Sequence, residues 1–276
     1  MTSHIQENQG ATVDQSPLSL GFFHIPKTAG LFLGANIQES LQIPKISIHK
    51  VFGNDHDNSR LSEMPIIGNQ YLHLSEAGWT DIVLRSYPFY AGHLSIVELL
   101  ALWRKDIFTY LSDPIKRALS LYRYGVTHSQ SENAFLDWMN AFHLSIPKQF
   151  YGDQKLQKFN YETFADDFFT RISHVYATNN PQDVLAFLTR DFGIKFNHEL
   201  TNKPINAFIE VLPVEKITID QKTLFELLHD VTWVDRLLIQ TVEKKYPNNY
   251  LPTKTDYSFE EFGVLLKKYD YLIIKT

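Results

Sequence analysis

The stretch Leu18-Ser19-Leu20-Gly21-Phe22-Phe23-His24-Ile25-Pro26-Lys27-Thr28-Ala29-Gly30 decides the fold. Its apolar run (Leu18, Leu20, Phe22, Phe23, Ile25) reads as a buried strand that stops at Pro26. Gly30 then opens a segment with Leu33, Ile37 and Leu41 at helical spacing, up to Pro44. A strand feeding a tight turn that opens a helix is how α/β proteins build anion sites. Backbone N–H groups and the helix dipole point at the anion, and a lysine adds a full charge. The turn through Pro26, Lys27, Thr28, Ala29 and Gly30, with Leu31 after it, is therefore read as a phosphate-ester cradle.

The same alternation continues outward from the turn. Residues 47–52 are predicted as a strand, the Gly, Asn, Asp, Ser and Pro content of 53–69 as an exposed loop, 70–74 as a short strand and 76–85 as a helix. Phe89-Tyr90-Ala91-Gly92-His93 ends another strand, and residues 96–103 form a helix. Ile107-Phe108-Thr109-Tyr110-Leu111 is a near-continuous apolar run of the kind found in a buried parallel strand. These elements make an α/β fold with a central parallel sheet flanked by helices. Beyond Gly125 the pattern turns helical over 134–142, 161–175, 181–192, 222–246 and 259–269, with extended segments at 207–212 and 217–219 leaving room for one more strand. With no internal repeat to mark a boundary, residues 18–276 read as one α/β domain with a helix-rich C-terminal half, behind a disordered segment over 1–17.

A chain of 276 residues with 44% hydrophobic content can bury a full core. Its net charge of −5 argues against a nucleic-acid coat or a polybasic membrane-surface protein, so any site for an anionic ligand must be locally positive. The absence of cysteine excludes disulfides, thiolate metal sites and thiol nucleophiles, and fits a reducing compartment. Residues 1–17 lack the apolar core of a signal peptide, and no apolar run approaches the roughly 18 residues needed to span a bilayer. The expectation is a cytoplasmic protein without a membrane span or a nucleic-acid partner.

A second motif, Ser112-Asp113-Pro114-Ile115-Lys116-Arg117-Ala118-Leu119-Ser120-Leu121-Tyr122, directly follows the apolar run ending at Leu111. Asp before Pro starts a helix: Asp caps the exposed N–H groups, and Pro takes the first helical position, where its missing N–H costs nothing. Ile115, Ala118, Leu119 and Tyr122 form a core stripe, which leaves Lys116, Ser120 and Arg123 on the polar side. A hydroxyl flanked by two cations suits a second phosphate.

Three segments now stand in register: His24-Ile25-Pro26-Lys27-Thr28-Ala29-Gly30, Phe89-Tyr90-Ala91-Gly92-His93, and Asp113-Pro114 with Arg117, Ser120 and Tyr122. In order and spacing they resemble the sulfotransferases related to heparan sulfate 2-O-sulfotransferase. The resemblance spans about residues 18–124 and is faint beyond, where Asp235 with its flanking leucines, late in a predicted helix, is similar to the family. It implies a P-loop NTPase-like three-layer fold and a donor, 3′-phosphoadenosine 5′-phosphosulfate (PAPS), whose sulfuryl group passes to an acceptor hydroxyl on a carbohydrate or other small hydroxylated molecule, with PAP as product and no metal. By the same resemblance the Lys27 turn holds the 5′-phosphosulfate, Ser112 and Ser120 hold the 3′-phosphate, and His93 is the base. Histidine titrates near neutrality and suits proton removal from a hydroxyl, while Lys27 and the turn amides would stabilise charge on the departing oxygen.

The chain departs from the family at two places. Ser112 stands where the family usually has Arg, and Leu31-Phe32 where it has Thr followed by Ser or Thr. Losing the hydroxyls costs roughly 1 kcal/mol per hydrogen bond, and losing an Arg fork on the order of 1.5–3 kcal/mol. Lys116, Arg123 and Arg104 are candidates to replace that Arg. The alternative is a degenerate, non-catalytic nucleotide-binding or scaffolding member of the fold. A P-loop-like kinase ranks lower: Gly21 meets the outer glycine position of a Walker loop, but Pro26 takes the inner one, where it cannot supply an N–H. Blander roles are assigned to His24 as a structural strand residue, to Arg117 as a surface partner of Asp113, to Asp235, Arg236 and Glu243 as solvated or paired charges, and to the aromatic cluster over 150–169 as packing.

Overall fold

A computed structural model describes residues 19–42, 66–67, 70–71, 89–92, 95–101, 106–125, 132–151, 159–196 and 216–275. Outside them lie the N-terminal segment over 1–17, the strand predicted at 47–52, the helix at 76–85, the extended segment at 207–212, and His93 and Arg104.

The opening run is strand β1 (Leu20–Phe23), buried along its whole length. It pairs in parallel with β4 (Phe89–Gly92) on one side and β5 (Asp106–Leu111) on the other, and β5 pairs in parallel with β6 (His174–Ala177), giving the order β4-β1-β5-β6. A strand paired on both edges and covered on both faces has no solvent side. This is why β1 and β5 read as unbroken apolar runs rather than as alternation.

The pleat sorts these side chains onto two faces. Leu20, Phe22, Phe108, Tyr110 and Tyr176 face α1 (Gly30–Ser40) and α7 (Pro181–Phe192). The rings of Phe22 and Phe108 stack at 4.6 Å between centroids. Phe23, Ile107, Leu111, Val175 and Ala177 face the other way, against α2 (Ile96–Ala101), α5 (Ser145–Tyr151), α6 (Tyr161–Arg171) and α9 (Trp233–Lys245). The protein is thus an α/β, helix-rich fold around a small parallel sheet. Among the described residues no helix is long and apolar enough to cross a membrane.

A second core lies beside the sheet. Helices α3 (Pro114–Gly125), α4 (Glu132–Asn140), α8 (Gln221–Val231) and α10 (Phe259–Leu266) pack with the parallel pair β7 (Ile217–Asp220) and β8 (Leu272–Lys275). The extended segment at 217–219 therefore does form a strand, but it pairs with β8 and not with the central sheet.

The sheet's fourth described strand comes from a segment whose pattern reads as helix. Phe164, Phe168, Ile172 and Val175 recur at helical spacing, yet α6 ends at Arg171 and Val175 lies in β6. Apolar residues at the end of one element and the start of the next fall into phase with a period that only the first obeys. The helix predicted over 222–246 is likewise two, α8 and α9, broken at Thr232, whose hydroxyl donates to Leu228 O at 2.7 Å. Within the predicted loop 53–69, β2 (Ile66–Ile67) pairs antiparallel with β3 (Gln70–Tyr71). The helix predicted over 181–192 matches α7 residue for residue: Asn180 caps it, Pro181 opens it and Gly193 closes it at φ 67°.

Candidate functional site

β1 ends at Phe23, and the chain turns through Pro26 and Lys27 into α1. Lys27 (φ 67°) and Ala29 (φ 55°) both take the left-handed conformation, which costs a non-glycine residue on the order of 1–3 kcal/mol. Thr28 between them holds the turn closed. Buried, it donates to Ile25 O through both its N–H at 3.3 Å and its hydroxyl at 2.7 Å. Gly30 is required because the His24 ring lies against it: a Cβ there would sit 1.9 Å from His24 Nε2. The ring stacks on Phe22 at 5.2 Å, and His24 O accepts from Gln149 Nε2 at 2.8 Å, so His24 shapes the turn from behind. α1 begins after Ala29 with no side-chain cap.

Lys27 is half-buried in this turn. Burial, and after it the positive charge of Arg123, holds its ammonium below the ordinary lysine pKa. Leu31 follows within α1.

The junction after β5 is finished differently. Asp113 Oδ1 accepts from Lys116 N at 3.1 Å, capping α3, while Oδ2 pairs with Lys116 Nζ at 3.3 Å and accepts from the Tyr257 hydroxyl. Burial pushes the pKa of the Tyr110 phenol well above its ordinary value, and the Ser112 hydroxyl nearby opposes that shift in part. Ile115, Ala118, Leu119 and Tyr122 are buried, which turns Lys116, Ser120 and Arg123 onto the other face of α3. Of the candidate replacement cations, Lys116 is held by Asp113, whereas Arg123 bonds Asp270 at 3.2 Å and acts electrostatically on Lys27.

Arg117 is not a surface partner of Asp113. It is buried, with Nε donating to Asp235 Oδ1 at 2.6 Å, Nη2 donating to Ser145 Oγ at 2.9 Å, and its guanidinium 4.3 Å from the centre of the Phe142 ring. Asp235 is correspondingly a buried residue in the first turn of α9, neither late in a helix nor solvated. Burial raises its carboxyl pKa, and the Arg117 charge opposes that shift.

Both junctions lie at the C-terminal ends of adjacent parallel strands. α1, which follows β1, packs on one face of the sheet, while α5 and α6, which lead from β5 to β6, pack on the other. The helix that leaves β5 directly, α3, packs in the second core beside the sheet, and the C-terminal strand ends are where open α/β sheets bind ligands. The fold thus brings the Lys27 turn and the Ser112 junction to neighbouring strand ends. The stretch from Tyr250 to Tyr257 runs past the same edge: Leu251 N donates to Ala177 O at 2.9 Å, Lys254 N donates to Asn179 Oδ1 at 3.1 Å, and Tyr257 reaches Asp113.

Tyr257 and Asp270 are missed by sequence reasoning. Each lies more than a hundred residues from the junction it touches, in a turn or extended segment without periodicity. A shallow groove of about 550 Å³ between Phe225, Glu226, His229, Asp230, Asp256 and Tyr257 shares Asp256 and Tyr257 with the stretch over 250–257, and its three carboxylates disfavour an anion. Among the described residues no group of three or more His, Asp or Glu stands close enough to hold a metal ion. Compared with family models, with curated proteins and with solved structures, the chain finds no match in any of the three.

Proposed function

We propose that this chain is a PAPS-dependent sulfotransferase on a P-loop NTPase-like three-layer fold. The observation that carries the reading is the placement of Lys27: half-buried, in a left-handed turn at the end of β1, with its ammonium held below the ordinary lysine pKa by burial first and by the Arg123 charge second. A lysine placed in such a turn on a protein of net charge −5 supports a compact anionic ligand. In this reading the backbone of residues 26–31 and the Lys27 ammonium hold the 5′-phosphosulfate, and Ser112 and Ser120 face the 3′-phosphate. His93, one residue beyond β4, takes the acceptor's proton. The acceptor oxygen forms its bond to sulfur as the bond from sulfur to the bridging phosphate oxygen breaks. The electron pair leaves on PAP, and Lys27 stabilises the charge that develops there.

The test is transfer of labelled sulfate from PAPS to a panel of glycans and small alcohols. Lys27→Ala is expected to abolish transfer and to weaken PAP binding roughly ten- to a hundredfold, the loss of a charged hydrogen bond. His93→Ala is expected to abolish transfer with PAP affinity retained. PAP binding that is indifferent to Lys27 would overturn the reading.

One observation favours a second reading, a nucleotide-binding member of the fold without catalysis. Position 112 carries a serine and Asp113 is engaged with Lys116 and Tyr257, so the β5 junction supplies no cation at position 112. PAP binding without sulfate transfer to any acceptor would select it.

A further inference from the structure

We propose that His24 is a positioning residue for the anion-holding turn: its ring sets where α1 starts behind Lys27, and Gln149 in turn sets His24. The role rests on the sulfotransferase reading, in which that turn holds the 5′-phosphosulfate.

Three rings form a column along the face of the sheet that α1 covers. Phe108 of β5 stacks on Phe22 of β1 at 4.6 Å with 2° between planes, and Phe22 stacks on His24 at 5.2 Å with 29°. Phe22 and His24 are two residues apart, so the pleat sends both side chains to one face. Phe22 and Phe108 are fully buried in the core beneath α1, where close packing leaves them no room to yield. The column ends against Gly30, the first residue of α1: a Cβ there would stand between 1.9 and 2.2 Å from three atoms of the His24 ring. At Gly34, one turn further on, a Cβ would meet nothing within 4 Å among the described residues, so the close approach is confined to the helix start.

Backbone and side chain of His24 are tied to opposite layers. The ring supports α1, while the carbonyl oxygen accepts from Gln149 Nε2 of α5 at 2.8 Å, and α5 packs on the other face of the sheet. His24 therefore joins the two helical layers at the point where the chain leaves β1. Thr28 closes the turn on the carbonyl of Ile25, the next residue, so a displacement of His24 carries the turn with it. α1 has no side-chain cap to hold its first turn, and the ring takes that part from the strand end. A ring that acts as a spacer does so by bulk, whereas one that acts by charge or hydrogen bonding needs its nitrogens. Apolar side chains of comparable bulk, Leu and Phe, separate the two roles.

The test is calorimetric titration of inorganic sulfate and of PAP into the full chain and into His24→Ala, His24→Leu, His24→Phe and Gln149→Ala, with urea unfolding of each. His24→Ala is expected to weaken both ligands about ten- to a hundredfold at equal folded fraction, the cost of misplacing a binding group by roughly an ångström. Gln149→Ala is expected to weaken them about two- to fivefold, and at least one of His24→Leu and His24→Phe to stay within about threefold of the unmutated chain. Unchanged affinity in the folded His24→Ala protein, or in Gln149→Ala, whatever the loss of stability, makes His24 a packing residue and overturns the inference. A loss in both the Leu and the Phe variant equal to that in His24→Ala overturns it too, because the nitrogens would then be what matters. The sulfotransferase reading stands in each of these cases. Sulfate binding that follows the expected pattern, with PAP bound no tighter than sulfate, upholds the positioning role and sinks that reading. Failure of the unmutated chain to bind either ligand overturns both.

Discussion

After β1 the chain turns through Lys27 and Ala29 at positive φ and enters α1 with no side-chain cap, whereas after β5 it passes Ser112 and enters α3 through an Asp113 cap held by Lys116 and Tyr257. The two junctions are topological equivalents on adjacent strands. Side chains also cap α6, α7, α8 and α10, through Asn160, Asn180, Asp220 and Ser258, so the β5 junction follows the ordinary practice of this chain. At the β1 junction the strain of two left-handed residues is sustained by Thr28 and by the packing of His24 on Gly30. The contrast separates two motifs that look alike in sequence: after β5 a carboxylate finishes the helix, while after β1 Thr28 and His24 hold a strained turn that carries the half-buried Lys27.

The largest expected effect probes the structural side of this contrast. Arg117→Ala leaves the Asp235 carboxylate buried without its cation and also removes the contacts to Ser145 and Phe142, a loss of about 3–5 kcal/mol in unfolding free energy. Arg117 Nη1 and Asp235 Oδ2 are buried and find no hydrogen-bond partner among the described residues, so the pair is incompletely satisfied. The double variant Arg117→Met with Asp235→Leu is therefore expected to recover most of that loss. Urea unfolding of the three proteins measures both effects. A cost below about 1 kcal/mol for Arg117→Ala would mean that α3 is not anchored by this pair.

After β1, Gly30→Ala is expected to cost about 1–3 kcal/mol, because the new methyl meets the whole His24 ring and the ring is stacked on Phe22. His24→Ala in the same chain removes the obstacle, so the double variant should be more stable than Gly30→Ala alone. Equal stability of the two would show that the turn, and not His24, dictates glycine at position 30.

Much of the fold is legible in the sequence because its rules are local. The unbroken apolar runs at Leu20 and Ile107 betray strands buried on both faces, and Asn180-Pro181 with Gly193 mark the ends of α7 unaided. Illegible parts are those in which partners meet over long separations. Arg117 looks like a surface partner of Asp113 one turn away, and nothing local says that Asp235 and Ser145 enclose it. Val175 is in phase with Phe164 and Phe168, which hides β6 inside an apparent helix. For the site, the turn at residues 26–30 is legible from Pro26, Lys27 and Gly30, while the influence of Arg123 on Lys27 and its pairing with Asp270 depend on how the turn before β8 docks on α3.

The smallest expected effect discriminates most finely between the two junctions. Asp113→Ala removes the α3 cap and should cost roughly 0.5–2 kcal/mol, whereas Asp113→Asn keeps an acceptor for Lys116 N and should lose only about 0–1 kcal/mol, the share of the half-exposed Lys116 pair. If the carboxylate serves the fold alone, PAP affinity changes less than about threefold in either variant, and in the direction of tighter binding, since a negative charge has been removed near the strand ends. Paired unfolding and calorimetric measurements read the two quantities independently. A loss of PAP affinity beyond about tenfold with stability intact would place the ligand on Asp113 itself and erase the division of labour between the strand ends.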